Sequence, residues 1–402
     1  MEVHGSCDPQ FQQVRQEFER NFRERGEVGA SVCVMVRGRT VVDLWGGFTR
    51  SETQTPWTAE TVSIVFSSTK GATALCAHIL ASRGKLDLDA PVATYWPEFA
   101  QAGKAQIPVK MLLNHQAGLP AVRAQLPQGA YANWELMVNA LAKEEPFWEP
   151  GTRNGYHALT IGWLVGEVVR RVSGKSLGTF FRDEVAEPLG LDFWIGLPED
   201  KEARVAPMIA AAPDPDSILF QEMVKPGTLA SLAILNSGSY MGAQPEYDTR
   251  AAHAAEIGGA GGITNARGLA GMYAPLACGG TLNGVQLVNS DTLARMGAVA
   301  SATGRDAVLV LPSRFALGFM KSMDNRRGPV GARDSAITGE EAFGHVGAGG
   351  SFGFADPKAE MSFGYTMNRM GSGMLLTDRG QSLVDATYRA LGYRSNASGV
   401  WR

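Results

Sequence analysis

Apolar residues near the start of the chain recur three and four positions apart. Phe11, Val14, Phe18 and Phe22 share one face, with Asp8-Pro9 at the entry and Gly26 at the exit. That spacing predicts an amphipathic helix with a cap, a proline at its first position and a glycine stop. The period then changes to two. Val32, Val34 and Val36 alternate with Ser31, Cys33 and Met35, and Thr40-Val41-Val42 follows the turn Arg37-Gly38-Arg39. A hairpin between Gly29 and Gly47 is predicted. The small apolar stretch from about Ser67 to Ser82, closed by Gly84, predicts a buried helix.

The middle of the chain reads as mostly helical. Leu159 to Val169 is one strongly apolar segment ending at Gly174, and Thr264 is the expected cap of a helix running through Leu269 and Tyr273 towards Cys278. Pro207 to Gly262 is rich in Ala, Gly, Pro and Ser and carries no period that orders it. Strand character returns near the end: Gly350 to Ala355, a turn at Asp356-Pro357-Lys358, then Met361 to Met367. A last helix carries Leu383, Val384, Tyr388 and Leu391. The ends mirror each other, helix and hairpin first, hairpin and helix last. One antiparallel sheet built from both termini, with helices on its faces and a helical insertion between, satisfies the pattern. The expected fold class is α/β (α+β). A sheet domain is expected from residues 1–66 and 335–402 and a mostly helical domain from 67–334, with the active site at their interface.

Composition narrows the function classes. The 402 residues carry a formal net charge of −3 with both signs scattered, which offers no footprint for nucleic acid or a membrane surface. No apolar run is long enough to span a bilayer. The opening MEVHGSCDPQFQQVRQEF lacks the basic and apolar blocks of a secretory signal, so a reducing cytoplasm is the expected compartment. Cys7, Cys33, Cys76 and Cys278 lie far apart with no C-x-x-C pair and are expected to be free thiols. His4, His78, His115, His157, His253 and His345 show no metal-ligand spacing.

The chemistry concentrates in Val65-Phe66-Ser67-Ser68-Thr69-Lys70-Gly71-Ala72. Three positions apart on the first turn of a helix, Ser67 and Lys70 share a face. A serine hydroxyl becomes a good nucleophile only when a base takes its proton. A lysine can be that base if burial suppresses its charge. Moving it from about 10.4 to near 7 costs roughly 4–5 kcal/mol, within the range burial supplies. The helix amino terminus also disfavours an ammonium and favours an oxyanion. S-x-x-K alone is a weak pattern: Ser82-Arg83-Gly84-Lys85 fits it too, at a helix end. The plain alternative makes Ser67 a helix cap and lets Lys70 reach for water.

The surrounding segments decide between these. Ser67-Ser68-Thr69-Lys70, Gly84-Lys85-Leu86-Asp87, Leu112-Leu113-Asn114-His115-Gln116-Ala117-Gly118-Leu119-Pro120, and Pro150-Gly151 before Gly155-Tyr156-His157-Ala158 follow in order. Together they resemble the serine β-lactamase and penicillin-binding-protein superfamily. The class C β-lactamase branch and the related family VIII carboxylesterases are most similar, over nearly the whole chain. The resemblance implies a β-lactamase/transpeptidase-like fold, Ser67 as nucleophile, Lys70 as its base and Tyr156 as the family's catalytic tyrosine. Tyr131-Ala132-Asn133 is the literal match to the family's Y-x-N, but its place beside Trp134 suits packing. With Tyr156 in the role, Ala158 replaces the family's asparagine. His345-Val346-Gly347 resembles the K-T-G segment, so His345 and Gly347 are expected to border the substrate and the N–H groups of Ser67 and Ala348 to form an oxyanion hole. A histidine in place of that lysine grips an acid less firmly. His115 is expected to be structural.

Two G-x-S-x-G pentapeptides centred on Ser176 and Ser351 fail the α/β-hydrolase pattern, since Ser176 follows a helix and no histidine follows Ser351. The expected activity is that of a serine hydrolase forming an acyl-enzyme, a carboxylesterase acting on a small short-chain ester without metal or organic cofactor. β-Lactam hydrolysis, D-amino-acid peptide hydrolysis, acyl transfer to an alcohol, a non-catalytic ligand-binding role and homo-oligomer formation stay open.

Overall fold

Alternation between Ser31 and Val36 has a direct structural cause. In the computed structural model, which describes residues 2–402, Gly29–Val36 is a central strand covered on both sides. Val32 and Val34 join Phe18, Phe363, Leu383 and Tyr388 in one core, while Cys33 meets Ala266 and Ala270 on the opposite face. The strand returns as Arg39–Arg50 through Arg37 (φ 52°) and Gly38 (φ 73°). Two consecutive left-handed residues match the twist of a two-residue hairpin.

The main sheet is antiparallel. Its order is Val3–Cys7, Arg39–Arg50, Gly29–Val36, Met361–Met367, Phe352–Asp356, Phe343–Val346, with Thr55–Pro56 attached to Arg39–Arg50. Both chain ends therefore build it, and their pairing is fixed by register: Val34 lies opposite Phe363 and Val32 opposite Tyr365. The edge strand Val3–Cys7 was not legible, because only its ends are even half-buried. The helices Gln12–Glu24 and Asp378–Ala390 lie side by side on one face, tied by Asn21 Nδ2 donating to Arg379 O at 3.1 Å. On the other face lies Ala266–Ala277, which comes so close that a Cβ at Gly364 would meet Ala266 O at 2.2 Å. Asn265 caps that helix by accepting from Gly268 N; the expected cap, Thr264, instead ends a short strand and donates to Asp192 O.

A second core holds most of the remaining helices, while Ile218–Met223 and Leu229–Leu235 pack on the first. Thr69–Ser82 is buried along its length down to Leu80 and packs against Thr160–Ser173. Ser63–Ile64, Gly262–Thr264 and Phe193–Ile195 make a three-stranded sheet that delivers the chain to Ser67. The stretch 207–262, unordered by periodicity, contains the short helices Ile218–Met223, Leu229–Leu235 and Arg250–Ala254. All four cysteines are free, and among the described residues no helix is long and apolar enough to cross a membrane.

Candidate active site

Ser67 is presented by a tight turn. Phe66–Ser68 is 3-10 and the α-helix starts only at Thr69, two residues later than the apolar run suggests. Phe66 adopts φ +43°, a strained value for a bulky residue. Thr69 holds it there, donating from Oγ1 to Phe66 O at 2.6 Å while accepting from Gly262 N at 2.8 Å. Ser67 is left half-buried at the turn's crest.

Lys70 is fully buried. Its Nζ reaches Ala158 O at 2.6 Å, Gly259 O at 2.7 Å and Ser67 Oγ at 2.9 Å. Two of the three contacts are carbonyls, which can only accept. They fix two N–H bonds, and the remaining tetrahedral position faces the serine hydroxyl. Burial holds the amine well below the usual lysine range. The carbonyl of Gly259 can approach because Gly162 in the facing helix has no side chain: a Cβ there would stand 2.3 Å from Gly259 N. Neither carbonyl partner was read from the sequence. The run Gly258-Gly259-Ala260-Gly261-Gly262 was the available signal, since clustered glycines mark close backbone approach.

Tyr156 stands beside this pair. Its ring centroid is 4.8 Å from Lys70 Nζ, and it lies between Phe315 (5.8 Å, 13°) and His345 (6.0 Å, 29°). Burial raises its phenol pKa, the neighbouring Ser67 hydroxyl partly offsets that, and Asp306 adds to the rise. Asp306, also missed from sequence, is a buried carboxylate that accepts from Tyr156 N (2.9 Å), Val308 N (2.9 Å) and Leu309 N (3.0 Å) and from Ser313 Oγ (3.2 Å). Tyr131 lies elsewhere, its hydroxyl donating to Glu246 Oε2 at 2.6 Å.

The histidines near the site are buried and neutral. His157 accepts from Leu119 N at Nε2 and pairs through Nδ1 with Gly155 O; burial pushes it down to about 3. His115 accepts from His157 N at Nδ1 and packs on Tyr156, and burial holds it well below the usual imidazole range. His345 departs from the sequence expectation. It is fully buried behind Tyr156, its Nδ1 is engaged by Val346 O, burial pushes it down to about 3, and it does not line the cavity at Ser67. Nor does Gly347 line it; a Cβ at Gly347 would meet Val65 O at 2.1 Å and Ser351 Oγ at 2.2 Å.

That crowding is a latch between the serine turn and the strand pair opposite. Ser351 Oγ donates to Val65 O at 2.8 Å, and Ser68 Oγ faces His345 O at 3.0 Å and Ser351 O at 3.2 Å. Gly350 N closes a turn onto Gly347 O at 2.9 Å, carrying Ala348 to the cavity wall beside Ser67. Among the described residues the N–H groups of Ser67 and Ala348 have no protein acceptor. Ser176, the other pentapeptide serine, caps a helix and bonds Glu256.

The cavity at Ser67 has two lobes. The larger encloses about 290 Å³ and is walled by Phe66, Leu159, Leu219, Met223, Ile234 and Met370 among others, with Asp214 as its only formally charged side chain. The smaller encloses about 10 Å³. Ser67, Tyr156, Ala348 and Met374 border both. No group of three or more His, Cys, Asp or Glu side chains is gathered as metal ligands would be among the described residues.

Comparison with known proteins places this arrangement. A family model described as Beta-lactamase matches residues 16–387. Esterase/beta-lactamase LipL of Mycobacterium tuberculosis (strain ATCC 25618 / H37Rv) is 34% identical over 393 residues, covering 94% of this chain and 85% of that protein. A crystal structure of a family VIII carboxylesterase superposes with a TM-score of 0.85 at 38% identity, over 97% of this chain and all of the other. A penicillin-binding protein homologue from Caulobacter crescentus gives 0.85 at 35% identity, with the same coverage.

Proposed function

The chain belongs to the beta-lactamase family, and from that membership we propose that it is a serine carboxylesterase working through an acyl-enzyme on short-chain esters. The observation that carries the reading is the buried Lys70 amine, with two positions fixed on carbonyls and the third on Ser67 Oγ. As a neutral amine it turns its lone pair on the serine proton. As an ammonium it donates to the same oxygen. One geometry serves both halves of a proton transfer.

Ser67 Oγ attacks the ester carbonyl while Lys70 takes its proton, and the N–H groups of Ser67 and Ala348 receive the oxyanion. The raised phenol pKa keeps Tyr156 protonated in the resting enzyme, so Lys70 is the resting base and Tyr156 the relay. The phenol hands a proton to the leaving alkoxide and is reprotonated from Lys70. In deacylation the same relay runs in reverse, taking a proton from water as it attacks the acyl carbon.

Preference for neutral esters over β-lactams is supported by the cavity walls. No cationic side chain lines either lobe, and the imidazole where K-T-G enzymes keep a lysine is neutral and shielded by Tyr156. A substrate carboxylate entering there would lose its hydration and gain no partner. The family VIII carboxylesterase agrees with this reading, while LipL is named as both esterase and beta-lactamase. Initial rates on p-nitrophenyl acetate and butyrate beside nitrocefin test it. Higher kcat/KM on the esters is expected; faster turnover of nitrocefin would reverse the preference.

A further inference from the structure

The two lobes that meet at Ser67 differ in volume by more than an order of magnitude, about 290 against about 10 Å³. An ester held with its carbonyl oxygen at the Ser67 and Ala348 N–H groups sends its acid and alcohol substituents in different directions. Resting on the ester-hydrolase reading, we infer that the smaller lobe is a size filter. The substrates are neutral esters that carry an apolar group of about methyl size on one side of the scissile carbonyl and a larger apolar group on the other.

The small lobe is built for this. Its walls are Leu309, Leu311, Met320, Val346, Met374 and Leu375, and its only polar side chains are Ser67 and Tyr156. A void of this volume holds about one water-sized group. Its apolar wall gives a charged or hydrogen-bonding substituent nothing to replace water with, so a polar group there is rejected as firmly as a large one.

The walls are also pinned. Asp306 N donates to Leu311 O at 2.9 Å and Val310 N to Asp306 O at 3.0 Å, while the Asp306 carboxylate holds Val308 N and Leu309 N from inside. Residues 306–311 therefore form a closed loop around a buried anion, with Val310 forced to φ +56°. On the far side Met374 N is held by Asp334 Oδ2 at 2.7 Å and Leu376 N by Ser335 O at 3.1 Å. The backbone around the lobe cannot retreat without breaking one of these anchors, so extra room comes only from re-packing Met320 and Met374.

The larger lobe is roomier and has more such side chains. Met223, Met241, Met370 and Met374 contribute four flexible thioethers to its wall. Such side chains re-pack around varied apolar shapes. One side of the ester is thus measured and the other accommodated.

Two homologous series read the filter. In one, methyl esters lengthen the acid from acetate to hexanoate. In the other, acetate esters lengthen the alcohol from methyl to hexyl, both followed by pH-stat. One series should lose about tenfold or more in kcat/KM per added carbon once the lobe is full, the discrimination a tight apolar pocket gives per methylene. The other should stay nearly flat. Met320→Ala should relax the steep series by about tenfold and leave the flat one alone, and Met374→Ala, a milder change at the half-buried boundary of the lobes, should act in the same direction. Shallow dependence in both series, or variants that loosen both alike, would overturn the filter. No turnover of any ester, with Ser67 unreactive to a fluorophosphonate, would overturn the hydrolase reading and the filter with it.

Discussion

Of the three buried lysines, Lys70, Lys104 and Lys321, the first two each meet three oxygens. Lys104 donates to Gln101 O (2.9 Å), Ala142 O (3.0 Å) and Glu144 O (2.5 Å). Lys70 meets Ala158 O, Gly259 O and Ser67 Oγ. The difference is one atom type. A carbonyl only accepts, so Lys104 must present three N–H bonds and stay an ammonium, at the carboxyl end of helix Trp134–Lys143 where a cation is favoured. A hydroxyl can donate, so Lys70 satisfies all its neighbours with or without its charge. Burial lowers both pKa values, but Glu144 and Glu145 oppose the shift at Lys104 while no anion opposes it at Lys70. The structural lysine and the reactive one are told apart by the third partner and by the absence of a counter-charge.

The largest effects should come from separating these two. Ser67→Ala and Lys70→Met should each cut ester hydrolysis by about 10⁴-fold or more, since members of one catalytic unit fail together. Lys104→Met should instead orphan three carbonyls and cost roughly 2–4 kcal/mol of stability, with kcat per folded molecule unchanged. Calorimetry beside ester kinetics reads both, and a large loss of kcat in Lys104→Met with normal melting would erase the distinction.

A second pair sharpens it. Tyr156→Phe should lower kcat/KM by about 10²–10⁴-fold, the usual worth of a proton relay. Tyr131→Phe removes only a hydrogen bond to Glu246 and should leave kinetics within about twofold while costing on the order of 1 kcal/mol. The reverse ranking would move the relay to Tyr131.

Acid stability follows from the same dry interior. His157 and His345 are pushed down to about 3 and His78 to about 4. Unfolded imidazoles titrate near 6.5, so between that value and the folded ones the unfolded chain binds protons that the folded chain refuses. Stability is therefore lost as pH falls below about 6.5, and the loss keeps growing down to about 3. Urea unfolding at pH 7, 5.5 and 4 should give a falling midpoint; a constant midpoint would mean these rings titrate freely. A smaller loss than at Tyr156 is expected at Ser351. As part of the latch, Ser351→Ala should lower kcat/KM by about three- to tenfold through a displaced oxyanion turn, and a complete loss would make Ser351 a reacting group.

Much of the frame was legible because periodicity records burial. The alternation from Ser31 to Val36 and the apolar run after Ser67 each placed an element. What could not be read was contact between backbone and side chain across long separations. Ala158 O and Gly259 O hold Lys70 through main-chain atoms that carry no residue identity, and Asp306 reaches Tyr156 N from 150 positions away. His345 shows the opposite failure. Its position in a motif predicted contact with substrate, but the bulk of Tyr156 stands between the imidazole and the cavity. The walls from 207 to 262 were missed because short helices of Ala, Leu and Met leave no long period.

The rate at which a fluorophosphonate labels Ser67, followed by intact mass across pH 5 to 11, tests the neutral amine most directly. Labelling should rise along a single limb whose midpoint lies well below the 10.5 of an ordinary lysine, and Lys70→Met should abolish that limb. A midpoint near 10.5, or an unchanged limb in Lys70→Met, would mean that Lys70 rests as an ammonium and that another group takes the serine's proton.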